Sequence, residues 1–391
     1  HCFPVGAEIG GVMESLEVVV VGAGCLGAFI GGCLALKGHR VTFLVKSTGN
    51  GRKLSQAVEK LGYLRLDLGK AGERQVAKSQ LSFSTSPSCL GPASLVLVAT
   101  KRTANGQVAR MLAGHIADPA VVVVALQNGL DAHRDLVPDL PQNPVFQCVV
   151  NMNVVSNMEE ALFTRTSPIA TLFLDQAVAE HLPTLPAALR AAGFSTSLLA
   201  ASDFTERQRG KFVQNLANAV NALHGLSIPE MLLSAAAVRL LAAAGREGLA
   251  VLRARGQRVR PSITHALPFL LDLLATPVVN GILLLLLWCV AKLLGKAQVS
   301  HLVDRRPHSS MWEDLHYGRC TEIDYLNGLV EDMGRQCGVA TPVNSAITRK
   351  IKEAETARGS FQPLSEQDLR QLLATSTADA NLTEVPDRVR I

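Results

Sequence analysis

The sequence predicts an α/β N-terminal domain, built on a doubly wound parallel sheet, followed by an all-α C-terminal domain. Three observations carry that reading. Residues Leu16 to Ser47 run through an apolar stretch, a glycine turn, a small-residue helical segment and a second apolar stretch. Further short apolar runs and helical segments alternate as far as Val150, the pattern of a parallel sheet. From Asp203 onward the character changes to helix. A chain of 391 residues is long for one domain, and two is the natural division.

The organising stretch opens with the apolar run Leu16–Val21, broken only by Glu17. Gly22-Ala23-Gly24-Cys25-Leu26-Gly27 follows, then an Ala/Leu/Gly-rich segment to Lys37, then Gly38 and the apolar run Val41–Val45. Strand, turn, helix and strand fit within about thirty residues, as a βαβ unit requires. Gly22 permits the tight turn, Gly24 lets a pyrophosphate approach the backbone, and Gly27 lets the helix pack close to the sheet. Free N–H groups and the helix dipole favour the phosphates. Glycine-rich turns are common. Flanked by these elements, residues 22–27 predict a Rossmann-like dinucleotide site.

The second strand ends in Lys46, followed by Ser47 and Thr48, with Arg52 and Lys53 beyond and no carboxylate nearby. An acidic residue there would hold a ribose 2′-hydroxyl, whereas a cation and hydroxyls suit a 2′-phosphate. The charge pattern therefore favours NADPH/NADP over NAD, with an ordinary solvated lysine as the plainer reading of Lys46.

Leu61–Leu68 and Gln80–Ser84 read as short strands around a turn. Ser94–Thr100 is a buried strand ending in Lys101, and Gln107–Ile116 fits a short helix. Ala120–Leu126 is another strand, ending in Gln127-Asn128-Gly129, and Pro144–Val150 is a further one. In such sheets ligands bind beyond the carboxyl ends of the strands. The glycine turn, Lys46, Lys101 and Asn128 all lie there. Turn chemistry alone could account for Lys101 and Asn128; the shared edge favours a binding role.

In the helical half, Lys211, Asn215 and Asn218 are spaced i, i+4, i+7 and are expected on one helix face. The stripe either faces solvent or presents a lysine that supplies a proton or positive charge to a developing alkoxide. Leu273–Ala291 holds nineteen uncharged residues and approaches a membrane span. A span would put Lys211 and the later motif on opposite sides of a membrane. The segment therefore reads as a buried or interface helix, with monotopic membrane contact as the minority reading. The part at 282–291 is either core or the surface of a homodimer. Next, Ser309 and Ser310 can cap a short helix that Gly318 ends. Thr321 can cap another running through Val330, with Asp324 in a capping-box-like place. These hydroxyls and carboxylates are helix caps, or they bind an oxo-acid. Gly338 and Pro342 punctuate the chain before a helix at Asn344–Ala357, and the end from about Thr375 reads as a loose tail. The expected division is an extension at 1–15, a dinucleotide-binding domain at 16–202, a helical substrate domain at 203–365 with an apolar insert near 266–303, and a tail at 366–391.

Composition bounds the class. Hydrophobic residues make 48% of the chain and charged ones 18%, ample for a core. A net charge of +5 with 4% aromatics gives no nucleic-acid groove and suits an anionic small molecule. The eight cysteines form no CxxC pair, which predicts reduced thiols, a cytoplasmic protein and no metal site. His1–Val12 is read as upstream sequence, with Met13 as the natural start.

Together these motifs resemble the ketopantoate reductase (2-dehydropantoate 2-reductase) family from about Leu16 to Ala357. The resemblance rests on GAGCLG at 22–27, Lys46, Thr100-Lys101, Gln127-Asn128-Gly129, Lys211–Asn215 and SSMWEDL with TEIDYLNG at 309–328. It implies a Rossmann domain followed by a helical domain, an active site in the cleft between them, and NADPH-dependent reduction of 2-dehydropantoate to (R)-pantoate, a step toward pantothenate and coenzyme A. It also implies that Lys211 is the general acid and that Glu322 orients substrate and lysine. Ser310 would bind the substrate carboxylate, and Asn128, Asn215 and Asn218 other substrate groups. Residues 22–27, Lys46, Lys101, Asn128 and Glu322 would line the cofactor. The chain departs from the family in carrying Ala219 where a second asparagine often follows Asn215, and in its long apolar insert. A different 2-oxo acid is therefore the alternative substrate. The co-occurrence of Lys211, Ser310 and Glu322 argues against a non-catalytic dinucleotide-binding regulator.

Overall fold

The computed structural model describes residues 14–167, 169–260, 308–357 and 360–383. Residues 1–13 of the expected N-terminal extension at 1–15, the leucine-rich stretch at 273–291 and the insert at 266–303 lie outside the described residues. Two compact units emerge, His1–Gln127 with Asp131–Ala201, and Asn128–Leu130 with Ser202–Ile391.

The first unit is the α/β one. Its strands are β1 (Glu17–Val21), β2 (Arg40–Leu44), β3 (Tyr63–Asp67), β4 (Glu73–Ala77), β5 (Leu81–Ser84), β6 (Leu95–Val98), β7 (Val122–Ala125), β8 (Val145–Asn151), β9 (Val154–Asn157), β10 (Leu162–Arg165), β11 (Thr171–Asp175) and β12 (Ser195–Leu199). The main sheet has eight strands in the order β12-β11-β8-β7-β6-β1-β2-β5. All of its pairings are parallel except β11 against β8. The central strands read as unbroken apolar runs because both faces are covered. Val18 and Val20 of β1, Leu95 and Leu97 of β6 and Val122 and Val124 of β7 join one core. Val19 and Val21, Val96 and Val98, and Val123 and Ala125 join the other.

Helix α1 (Cys25–Ala35) covers the first face. It follows α1 in the chain that α2 (Asn50–Leu61) comes next, and α3 (Asn105–Ala113) places Val108, Ala109 and Leu112 on the second face. Short helices α4 (Val178–His181) and α5 (Leu185–Ala191) complete the unit. α1 is buried along nearly its whole length because a second sheet, ordered β4-β3-β10-β9, lies on its other side. A Cβ on Gly31 would press on Phe43 of the main sheet, and one on Gly32 on Leu64 and Leu66 of the second. This second sheet corrects the expected strand pair at 61–68 and 80–84. β3 pairs with β4, which was not anticipated, whereas β5 extends the main sheet beside β2. β4 has one buried residue in five and so lacks the apolar alternation that announces a strand.

Among the described residues the second unit is helical: α6 (Ala201–Asn215), α7 (Ala217–His224), α8 (Ile228–Met231), α9 (Ala235–Ala254), α10 (Ser310–His316), α11 (Asn327–Cys337), α12 (Pro342–Thr356) and α13 (Glu366–Thr383). α12 sits at its centre and packs against α7, α9, α11 and α13, with Ile347 and Ile351 fully buried. Two expectations change here. Residues 366–383 are not part of a loose tail: they form α13, which docks through Leu369 and Leu372 into the helical core. Nor does a Thr321-capped helix run through Val330. Ile323–Tyr325 forms a single 3₁₀ turn, Leu326 breaks it at φ −120° and ψ −99°, and α11 begins at Asn327. The local cap loses to tertiary partners, since Asp324 pairs with Lys352 at 2.6 Å instead of closing a capping box. Among the described residues no helix is long and apolar enough to cross a membrane.

Candidate active site

In the α/β unit the carboxyl ends of β1, β2, β6 and β7 lie along one edge. The chain leaves β1 for β2 on one side and returns to β6 on the other, which makes the gap between β1 and β6 the switch point where such sheets bind ligands. Gly22 sits there with φ of 99°, its N–H donating to Leu44 O at 3.0 Å. A Cβ at Gly22 would come within 3.0 Å of Thr100 Cγ2, and one at Gly27 within 2.2 Å of the Gly22 carbonyl. Both positions need glycine for the protein's own packing. Gly24 does not: a Cβ there would meet nothing within 4 Å. The space over Gly24, the start of α1 and the absence of acid in its first turn together fit a dinucleotide pyrophosphate.

The rest of the loop is tied down. Ala23 is buried, Leu26 packs on the core, and Cys25 Sγ lies 3.3 Å from Ser156 Oγ on β9. Lys46 is exposed at the end of β2, and Arg52 Nη1 donates to Ser47 O at 3.1 Å, bracing the segment that follows it. Lys101, after β6, is half-buried. Beneath these strand ends runs a polar network that sequence reasoning missed. Asn105 and Gln127 exchange amide hydrogen bonds at 3.0 and 2.6 Å, Gln127 Nε2 also donates to Thr100 O at 2.9 Å, and Gln147 Nε2 donates to Gln127 O at 3.0 Å. Asn105 Nδ2 reaches Asp135, which Arg102 grips through two bonds of 2.7 and 2.8 Å. The network fixes the ends of β6 and β7 against each other. Its sequence signals were Gln127, in the motif that ends its strand, and Gln147, a polar residue inside an apolar strand.

In the helical unit Asn215 Nδ2 donates to Asn128 Oδ1 at 3.0 Å. The bond uses the Asn128 oxygen and the Asn215 nitrogen, leaving the Asn128 amide donors and the Asn215 carbonyl for other partners. Lys211 stands one turn before Asn215 on α6. It keeps some solvent exposure, yet enough protein surrounds it that desolvation pushes its pKa below the ordinary lysine value. Asn218 is not on the same helix, because α6 ends at Asn215 and α7 begins at Ala217. Its backbone carbonyl accepts from Ser309 Oγ at 2.9 Å, and Asn221 Oδ1 accepts from Ser309 N at 2.8 Å. Ser309 also caps α10 by accepting from Trp312 N at 3.1 Å. Ser309 is thus structural, and Ser310, the exposed first residue of α10, stands beside the start of α7. Asp314, buried on α10, pairs with Arg319 at 3.4 Å. Glu322 is half-buried at the entry to the 3₁₀ turn. The helical unit therefore joins Asn128 to Asn215, one turn from Lys211 on α6, and Asn218 to the Ser309–Ser310 turn.

Residues 18–167 match the family model described as ketopantoate reductase PanE/ApbA, and residues 203–355 match its C-terminal partner. A 2-dehydropantoate 2-reductase of Vibrio cholerae is 51% identical over 47 residues, which cover 12% of this chain and 16% of that protein. The enzyme of the same name from Halobacterium salinarum is 24% identical over 87% of this chain and 99% of its own. Among solved structures, a PanE/ApbA family ketopantoate reductase from Ralstonia eutropha superposes with a TM-score of 0.66 at 24% identity, covering 87% of this chain and 99% of that one. A D-mandelate dehydrogenase solved with NADH and anilino(oxo)acetate superposes with a TM-score of 0.65 at 16% identity, with the same coverage. At these identities the structural likeness speaks for the fold.

Proposed function

The chain belongs to the ketopantoate reductase family, a family of oxidoreductases, and from that premise we propose that it reduces a 2-oxo acid with NADPH, with 2-dehydropantoate as the leading substrate. The observation that carries the proposal is the Asn215–Asn128 bond, one helical turn from a desolvated lysine. Residues 22–27 would hold the pyrophosphate, Lys46 the 2′-phosphate, and Lys101, Asn128 and Glu322 further cofactor groups. Bound NADPH would supply the hydride.

The chain's own residues would do the rest. Lys211 donates a proton to the keto oxygen as negative charge develops on it, and its lowered pKa brings it closer to the working range of a general acid. Asn128 and Asn215 present one donor and one acceptor to fix the substrate's polar groups, and Asn218 adds a contact from α7. The Ser310 hydroxyl donates to the carboxylate. Glu322 orients the lysine and substrate, and solvent returns the proton to Lys211.

A second reading keeps this chemistry on another 2-oxo acid. It is favoured by Ala219, a fully buried residue where the family often has an asparagine. The deciding experiment follows NADPH oxidation with ketopantoate and with a panel of other 2-oxo acids, aromatic ones included. Selective turnover of ketopantoate is expected. Selective turnover of another panel member moves the substrate, and turnover of none overturns the reductase reading.

A further inference from the structure

The Thr321–Asn327 segment carries Glu322 and has little regular structure of its own, yet α12 holds it at several points. Glu355 Oε1 accepts the Thr321 backbone N–H at 2.7 Å, one residue before Glu322. Lys352, one turn earlier on α12, donates to Asp324 at 2.6 Å and lies 3.4 Å from Glu355. It thereby balances two carboxylates, that of Asp324, two residues after Glu322, and that of Glu355, which holds the residue before it. At the far end Asn327 Nδ2 donates to Asn344 Oδ1 at 3.0 Å, and both residues are fully buried. Asn344 Nδ2 in turn donates to Glu247 Oε2 at 2.7 Å, and the Glu247 carboxylate also accepts the Val343 and Asn344 N–H groups at 2.9 Å, capping α12 from α9. Ile323, beside Glu322, is fully buried and pins the turn.

A hydrogen bond to a carboxylate is about twice as strong as one between neutral groups, so the Glu355 contact is a firm hold on the residue adjacent to Glu322. The anchor at Asn327 lies five residues further on and is backed by packing. We propose that Glu355, assisted by Lys352, is a positioning residue for Glu322: it fixes the backbone from which the Glu322 side chain departs. The proposal rests on the reading of Glu322 as a group of the active site. No role for Glu355 or Lys352 in contacting substrate or cofactor is implied.

The test compares steady-state kinetics and NADPH binding for Glu322→Gln, Glu355→Ala, Glu355→Gln, Lys352→Met and the double variant Glu322→Gln/Glu355→Ala. A misplacement of about 1 Å costs on the order of a hundredfold in rate. Glu355→Ala is therefore expected to lower kcat by about tenfold to a hundredfold with NADPH affinity kept within about twofold. Glu355→Gln retains an oxygen for the Thr321 N–H and is expected to recover most of the rate. Lys352→Met, which keeps the apolar stem of a half-exposed side chain and removes its charge, is expected to cost about threefold. The double variant should be no slower than Glu322→Gln alone, because residues acting through one another are not additive. An impaired Glu322→Gln beside an unimpaired Glu355→Ala, or additive losses in the double variant, overturns the positioning role alone. Wild-type kcat in Glu322→Gln overturns the Glu322 assignment and the proposal with it.

Discussion

In the α/β unit the candidate cofactor loop is six consecutive residues, and its backbone supplies the site. In the helical unit the candidate groups are side chains drawn from Asn128, α6, α7, α10 and the 3₁₀ turn. The two regions differ in what supports them. The loop is shaped by steric exclusion, with Gly22 and Gly27 leaving no room for a Cβ. The helical groups are shaped by polar ties between distant segments, such as Asn215 to Asn128, Ser309 to Asn221 and Thr321 to Glu355. A backbone site should therefore fail through added atoms, and a side-chain site through removed ones.

The largest expected effect tests the second half of that contrast. Lys211→Ala should lower kcat by about a thousandfold, within the usual span for a lost general acid, while NADPH binding measured by fluorescence titration stays near wild type. The pH profile sharpens it. The acid is the protonated lysine, so kcat should fall as pH rises through its folded pKa, at a pH below the ordinary 10.5. Between that folded pKa and 10.5 the unfolded chain binds more protons than the native one, so this group makes stability rise with pH across the window. An alkaline limb that persists in Lys211→Ala would assign it to another group.

Next come two glycines of the same loop. Gly27→Val places atoms against the Gly22 carbonyl and should destabilise the α/β unit by about 1–3 kcal/mol, read as a lowered midpoint in urea. Gly24→Ala meets no protein atom, so the midpoint should hold while NADPH affinity falls by about tenfold or more. A Gly24→Ala protein that binds NADPH normally would break the assignment of that space to the pyrophosphate. Leu369→Ala, on the helix that replaces the expected tail, should cost about 2–4 kcal/mol in the same assay. The smallest effect is Lys46→Ala, expected to reduce the preference for NADPH over NADH by about tenfold with kcat nearly unchanged. An unaltered preference would return Lys46 to the role of a solvated lysine.

The α/β architecture was legible because the central strands β1, β6 and β7 are buried runs and the glycine turn is contiguous, so periodicity and spacing carry the information locally. The second sheet escaped because β4 is largely exposed and pairs with β3 under rules that composition does not express. In the helical unit, residue types and spacing marked Lys211, Asn215 and the motif at 309–328, but they also suggested a single helix face for Lys211, Asn215 and Asn218. The break at Leu216 puts Asn218 on α7 instead.

By itself, the sequence determined the fold class, the glycine turn and the order in which the chemical groups appear. Each of these depends on near neighbours in the chain, where sterics and hydrophobic period act directly. Only the tertiary structure decided which groups meet. The Asn105–Gln127 pair, the Asn215–Asn128 bond and the grip of Glu355 on the residue before Glu322 join positions 22, 87 and 34 residues apart. A buried polar group must find a partner wherever packing brings one, and that choice belongs to the folded chain as a whole.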